Sequence, residues 1–251
     1  MSLPRPAFIA QEYPMRLNDI GPDGKIRLGA ILDDMQDAAA LHAEALGVGM
    51  PDLLRLGVTW VLSRLELKLE YIPEADDTVR VVTWPSGQRR VFATRQFELT
   101  SVVTGKRIGV ASSWWLMLKL TNLRPTLPAS VVDEPFPENA DRPFFFDDAG
   151  KAPDFEGGDP MTFMVGQSMI DCNDHMNNSY YAVLAQDWLA ARVGFPVRIH
   201  ALRINYDHAL KAGAAMICSG EVDGDAFRSV GHSEDGRKAF VMTGRFRPLL
   251  D

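Results

Sequence analysis

Residues 171–178 read Asp-Cys-Asn-Asp-His-Met-Asn-Asn and set a carboxylate, a carboxamide and an imidazole at alternate positions: Asp171, Asn173 and His175. An imidazole titrates near neutrality and can take a proton from water. A carboxamide N–H can donate to a developing oxyanion, an interaction worth about 2.7–4 kcal/mol. Alternate residues of an extended segment share one face, so the spacing predicts that the three side chains converge. The helical pattern that follows would aim its first N–H groups at the same place. That set suits attack of water on a carbonyl, with His175 activating the water and Asn173 polarising the oxygen. Asp171 either orients one of these two or caps the turn. Asn177 or Asn178 caps the helix and so sets the direction of its N-terminus. Cys172 lies inside the motif, but alternation turns it away from Asp171 and Asn173, which disfavours a nucleophilic role.

The elements that must position these residues occur twice. In the first half a strand-like run, 13–18, precedes a turn at 19–24. A 3.6-residue apolar stripe follows: Leu28, Ile31, Leu32, Met35, Ala38, Ala39, His42, Ala45 and Leu46. Strand-like runs come next at 59–70, 78–84, 92–101 and 106–119. The second half repeats the order: a strand-like run at 162–170, the turn at Asp171, and a helix with Tyr181, Leu184, Ala185, Trp188 and Ala191 on one stripe. Runs at 198–206, 215–222, 227–233 and 238–247 complete it. In this alignment Asp19 matches Asp171, Gly21 matches Asn173 and Asp23 matches His175, so the first half lacks the Asn/His pair. A segment rich in Pro, Asp and Gly joins the halves, and Phe144-Phe145-Phe146 within it is expected to anchor it. The expected division is residues 1–132, a linker over 133–160, and residues 161–251.

A long helix buried against a curled antiparallel sheet satisfies the apolar faces of both. This is the hotdog arrangement, and two halves predict an α+β double hotdog. Edge-to-edge pairing of the halves would relieve their exposed edges. Such a chain already forms an internal pseudo-dimer, and both monomer and homodimer are expected forms.

The 251 residues carry a net charge of −7 and a pI near 5.3, which argues against general nucleic-acid binding. The first residues lack the apolar run of a signal peptide, and no stretch approaches the roughly 20 apolar residues of a membrane span. Two cysteines, Cys172 and Cys218, give neither a disulfide framework nor a zinc spacing. A reducing cytosol is the expected location, with no metal. Trp60, Trp84, Trp114 and Trp115 read as core, some of them also lining a pocket.

Several segments together resemble the acyl-ACP thioesterases of plants and bacteria: 21–28 (GPDGKIRL), 59–64 (TWVLSR), 83–87 (TWPSG), 92–95 (FATR), 112–116 (SSWWL) and Arg124-Pro125. The second half adds Asp171-x-Asn173-x-His175-x-Asn177-Asn178-x-x-Tyr181. The likeness runs from about Phe8 to Pro248. It implies hydrolysis of the thioester joining a fatty acyl chain to acyl carrier protein, with no cofactor. It also implies catalysis in the C-terminal half and an acyl pocket largely in the N-terminal half. Arg89, Arg90 and Arg95, with Arg64, Lys68 and Arg124, would then offer positive charge to the acidic carrier; a solvated face is the alternative.

One position departs from the family pattern. The family's Glu, a few residues before a Gly, falls here on Ala209. Asp207 lies two residues earlier, on the same face of a regular strand, and is either its substitute or a solvated Asp. Three alternatives stay open. The spacing Asp-x-Asn-x-His is one residue short of a hydratase pattern, which disfavours hydration of a double bond. An acyl-CoA thioesterase would use identical chemistry. A non-catalytic acyl-thioester binding protein is the third.

Overall fold

The apolar stripes form two long helices, α1 (Leu28–Ala45) and α3 (Asn178–Val193), with a short α2 (Met50–Arg55) that the sequence reading missed. The computed structural model describes residues 5–132, 136–137, 139–146 and 151–249. The alternating runs form β1 (Ile9–Pro14), β2 (Val58–Leu69), β3 (Thr78–Arg89), β4 (Phe92–Ser101), β5 (Arg107–Lys119) and the two-residue β6 (Pro125–Thr126). The second half gives β7 (Met161–Met164), β8 (Val197–Tyr206), β9 (Ala215–Asp223), β10 (Ala226–Ser233) and β11 (Lys238–Pro248).

All the strands join one sheet in the order β1-β3-β4-β5-β2-β8-β11-β10-β9-β7, with β6 attached to β5. Counted outward from the β2–β8 seam, the two halves have the same topology. This is a double hotdog: the edge strands that each half would leave bare, β2 and β8, cover one another. The seam runs antiparallel from Arg64↔Asn205 to Lys68↔Ala201. At its centre Glu66 faces Arg203, and their side chains form an ion pair at 2.8 Å.

Each helix buries its stripe against its own half of the sheet. One continuous core takes in Ile31, Met35, Ala38, Leu67, Val81, Phe97, Tyr181, Trp188, Ile204 and Phe240. The helices also touch one another: a Cβ on Gly29 would lie 3.1 Å from Val183, and Asn178 Nδ2 donates to Gln36 Oε1 at 3.5 Å. α3 stops where Gly194 adopts φ 81, a left-handed conformation glycine takes without a Cβ penalty.

The linker straps both halves. Phe145 packs edge-on to Trp84 at 5.8 Å, and Arg89 stacks over Phe144. Further on, Ala152 and Phe155 cluster with Val230 and Val241. The expected anchoring role of the Phe run therefore holds for Phe144 and Phe145.

Two expectations need correction. The runs 13–18 and 162–170 are not strands throughout: β1 ends at Pro14 and β7 at Met164, and single 3-10 turns follow at Leu17–Asp19 and Gln167–Met169. In the first of these, the Asp19 carboxylate accepts from Arg16 N and Nε, both at 2.9 Å, which favours the turn over an extended continuation. The repeat register is also shifted by two residues. The bridge Ile20↔Ile26 corresponds to Ile170↔Met176. Likewise Gly21 N→Lys25 O (2.8 Å) corresponds to Asp171 N→His175 O (2.9 Å). Asp171, Asn173 and His175 thus match Gly21, Asp23 and Lys25. The first half still lacks the Asn/His pair.

Candidate active site

The segment carrying Asp171, Asn173 and His175 is a closed turn, not an extended run. Asp171 N donates to His175 O at 2.9 Å and Asp174 N to Asp171 O at 3.1 Å. Asp174 takes φ 59, where the matching Gly24 takes φ 72. Asn and Asp tolerate this left-handed region better than most residues. Asp171 Oδ1 accepts from Asn173 N at 2.8 Å, so this carboxylate braces the turn. The three residues share one closed loop, and the alternation argument, including its use against Cys172, does not apply. Cys172 and Asn173 are exposed and His175 is partly buried. The His175 ring has no hydrogen-bond partner among the described residues; its carbonyl alone serves the turn.

Asn177, not Asn178, caps α3: its Oδ1 accepts from Ser179 N at 2.9 Å. Asn178 begins the helix and reaches across to Gln36 on α1. Burial pushes the carboxyl of Asp33, close to Ser179, above the usual carboxylate range. Sequence reasoning overlooked Asp33 and Gln36, because only the helix crossing carries them to this corner.

An apolar chamber opens at the same corner. It is small, with a cavity volume of about 30 Å³, and partly open to solvent. Leu32, Met35, Leu62, Leu65, Phe97 and Trp115 line it together with Gln36, Ser113, Asn178, Ser179 and Tyr206. Ala38 and Ala39 stand where α3 has Trp188 and Leu189. In the second half the large side chains fill the interior: Cβ atoms on Gly220, Gly231 and Gly244 would run into Trp188, Phe240 and Phe227 at 2.4, 2.2 and 2.6 Å.

Two contacts tie the turn to the loop behind it. Met176 N donates to Leu210 O at 2.7 Å, and Lys211 Nζ pairs with Asp174 at 2.9 Å. Ala209 is exposed at the tip of this loop, next to buried Leu210. His208 stands within electrostatic reach of His175, and desolvation, followed by Arg237, lowers its pKa. β8 ends at Tyr206, so Asp207 is not on a strand with Ala209. Asp207 N and His208 N both donate to Ala239 O, which breaks the alternation. The Asp207 carboxylate is exposed and lies 4.0 Å from Lys238 Nζ.

Of the three arginines first considered for carrier contact, Arg89 and Arg90 are exposed at the β3–β4 turn, where Arg90 has φ 56. Arg95 points inward, on the same face of β4 as Phe97 and Leu99. It donates to Thr83 Oγ1 and His42 Nδ1, both at 3.1 Å, and so is not a surface cation. His42 Nε2 in turn donates to Pro6 O at 2.9 Å. Burial, opposed by that bond, pushes His42 from 6.5 down to about 4. Below pH 6.5 the unfolded chain binds a proton at this site that the native one refuses, so stability falls with acidification until about pH 4. His42→Gln is expected to flatten this part of the curve by up to about 1.4 kcal/mol per pH unit, measured by urea unfolding across the range. An unchanged slope would remove His42 as its source.

No helix of the described residues is long and apolar enough to cross a membrane. Residues 7–135 match the acyl-ACP thioesterase N-terminal domain family. A chloroplastic acyl-[acyl-carrier-protein] hydrolase of Cuphea viscosissima is 23% identical over 95% of this chain and 62% of its own length. The chain thus spans about three fifths of that relative. An acyl-ACP thioesterase structure from Bacteroides thetaiotaomicron superposes with TM-score 0.80 at 24% identity, covering 96% of this chain and 98% of that one. The 12:0-ACP thioesterase of Umbellularia californica gives 0.76 at 17% identity, covering 97% and 98%. With the family's N-terminal domain matched over half of the chain and the fold shared along nearly all of it, this protein belongs to the acyl-ACP thioesterase family.

Proposed function

We propose that the protein hydrolyses the thioester joining a fatty acyl chain to acyl carrier protein and releases the free acid. The observation that carries this reading is the apolar chamber opening at the N-terminus of α3, beside the turn that bears Asn173 and His175. The acyl chain enters this pocket, lined mostly by residues of the 1–132 half, and the thioester carbonyl sits beside Asn178 and Ser179. The positive end of the α3 dipole and the Asn173 carboxamide draw charge onto the carbonyl oxygen. His175, with an unoccupied ring, takes the proton of a water as it attacks. The tetrahedral oxyanion collapses, the C–S bond breaks, and the carrier's thiolate leaves with a proton from His175. Asp171 acts through the main chain of Asn173, and Asp207 takes no part. Arg89 and Arg90 face the carrier, and the reaction runs in a reducing cytosol.

One observation favours a second reading. Ala209 supplies no carboxylate, and His175 has no side-chain partner to orient it. A protein that binds acyl-ACP without cleaving it would tolerate both. Free-thiol release from saturated acyl-ACPs of graded length, with matched acyl-CoAs, decides between them. Release from acyl-ACP supports hydrolysis, and release from acyl-CoA alone changes the carrier. Retention of acyl-ACP without release would make the protein a binder.

A further inference from the structure

The pseudo-two-fold axis provides an internal comparison. In the first half, main chain alone ties the turn to the loop behind it. Lys25 bridges Glu74, Ile26 N donates to Pro73 O at 3.2 Å, and Ala75 N donates to Gly24 O at 3.0 Å. In the second half, Met176 N→Leu210 O is the counterpart of Ile26 N→Pro73 O, so Leu210 takes the place of Pro73. Among the described residues no bridge between His175 and Lys211 corresponds to that between Lys25 and Glu74. The catalytic turn has lost a main-chain tie.

The Lys211–Asp174 ion pair spans that gap, and a second side chain holds the loop itself. Proline has no N–H to satisfy, whereas Leu210 has one and is 2% exposed. Its acceptor is Tyr181 Oη, at 3.1 Å. The same hydroxyl donates to His208 O at 3.2 Å, so one atom clasps the loop on both sides of Ala209. The residue matching Tyr181 on α1 is Ile31, fully buried and without a hydroxyl. The pair Ile31/Pro73 therefore corresponds to Tyr181/Leu210, in which donor and acceptor occur together. The tyrosine ring is wedged edge-on against Tyr206 and Phe240, at 5.6 and 6.0 Å. Burial pushes its hydroxyl up to about 12, so it keeps its proton at neutral pH.

We infer that Tyr181 is a positioning residue: it holds the His208–Leu210 loop, and through Met176 N→Leu210 O it fixes the turn carrying Asn173 and His175. The kinetic consequence rests on the hydrolase reading; the placement of His175 does not. Tyr181→Phe is expected to lower kcat between about ten- and a hundredfold with KM unchanged. It is also expected to shift or broaden the ring signals of His175, one of five histidines, in a 1H–15N spectrum. A variant that only melts earlier, with kcat and the His175 signals as in wild type, overturns the inference. If wild type releases no thiol from any thioester, the hydrolase reading fails, and unmoved His175 signals in Tyr181→Phe would still overturn the positioning role. If Tyr181→Phe does not fold, Tyr181→Phe/Leu210→Pro leaves no orphaned N–H. It is expected to fold and remain slow with displaced His175 signals; wild-type kcat in that double variant overturns the inference.

Discussion

Replacing His175 with alanine is expected to cut thiol release by about 10²–10⁴-fold, the range spanned by a positioned general base. The protein should still fold, because the His175 ring carries no hydrogen bond and the turn uses only its carbonyl, which alanine keeps. Substitutions away from packed or bonded groups usually stay within about 0.5 kcal/mol. The melting temperature should therefore move by no more than about 2 °C. KM should hold on the proposed reading, since the pocket at the start of α3 is lined by other residues. A parallel loss of folded protein would mean the ring is structural. A folded variant with near-normal turnover would remove His175 from the mechanism, and attention would pass to His208, the other imidazole at this corner.

Arg198→Met is expected to destabilise the protein by about 3–5 kcal/mol, the cost of leaving one member of a buried ion pair alone. Asp23 occupies, in the first half, the place that Asn173 holds in the second. It is buried against the Arg198 guanidinium, with side chains 7% and 8% exposed. Arg198 also donates to Ile26 O at 2.8 Å. This contact locks the first turn onto β8 of the opposite half, where the second turn leaves Asn173 exposed. Urea unfolding measures the loss. The double variant Asp23→Asn/Arg198→Met should lose less than Arg198→Met alone, because no unpaired charge remains. A single variant within about 1 kcal/mol of wild type would mean that Asp23 recovers its hydration without the guanidinium.

Local periodicity accounts for how much of the fold was legible. The run 92–101 became β4 at those bounds, and the stripe beginning at Leu28 became α1, because burial on one face imposes period 2 or 3.6 on the residues themselves. The repeat was legible for the same reason, yet its register was misread by two residues. Only the main-chain bonds Gly21 N→Lys25 O and Asp171 N→His175 O define it, and main-chain bonds leave little trace in side-chain pattern.

The chemistry-bearing residue types and the family were determined by the sequence, because a carboxylate, a carboxamide and an imidazole at fixed spacing are properties of the chain itself. Their arrangement was decided by the tertiary structure. Arg95 and Arg89 look alike as letters, but the pleat sends one inward to His42 and leaves the other outside. Asp207 and Ala209 would share a face on a strand, but β8 ends at Tyr206 and separates them. The pocket at the start of α3 is likewise a product of the tertiary structure: α1, β2, β4, β5, α3 and β8 each give it a side chain, and a void is a property of what surrounds it.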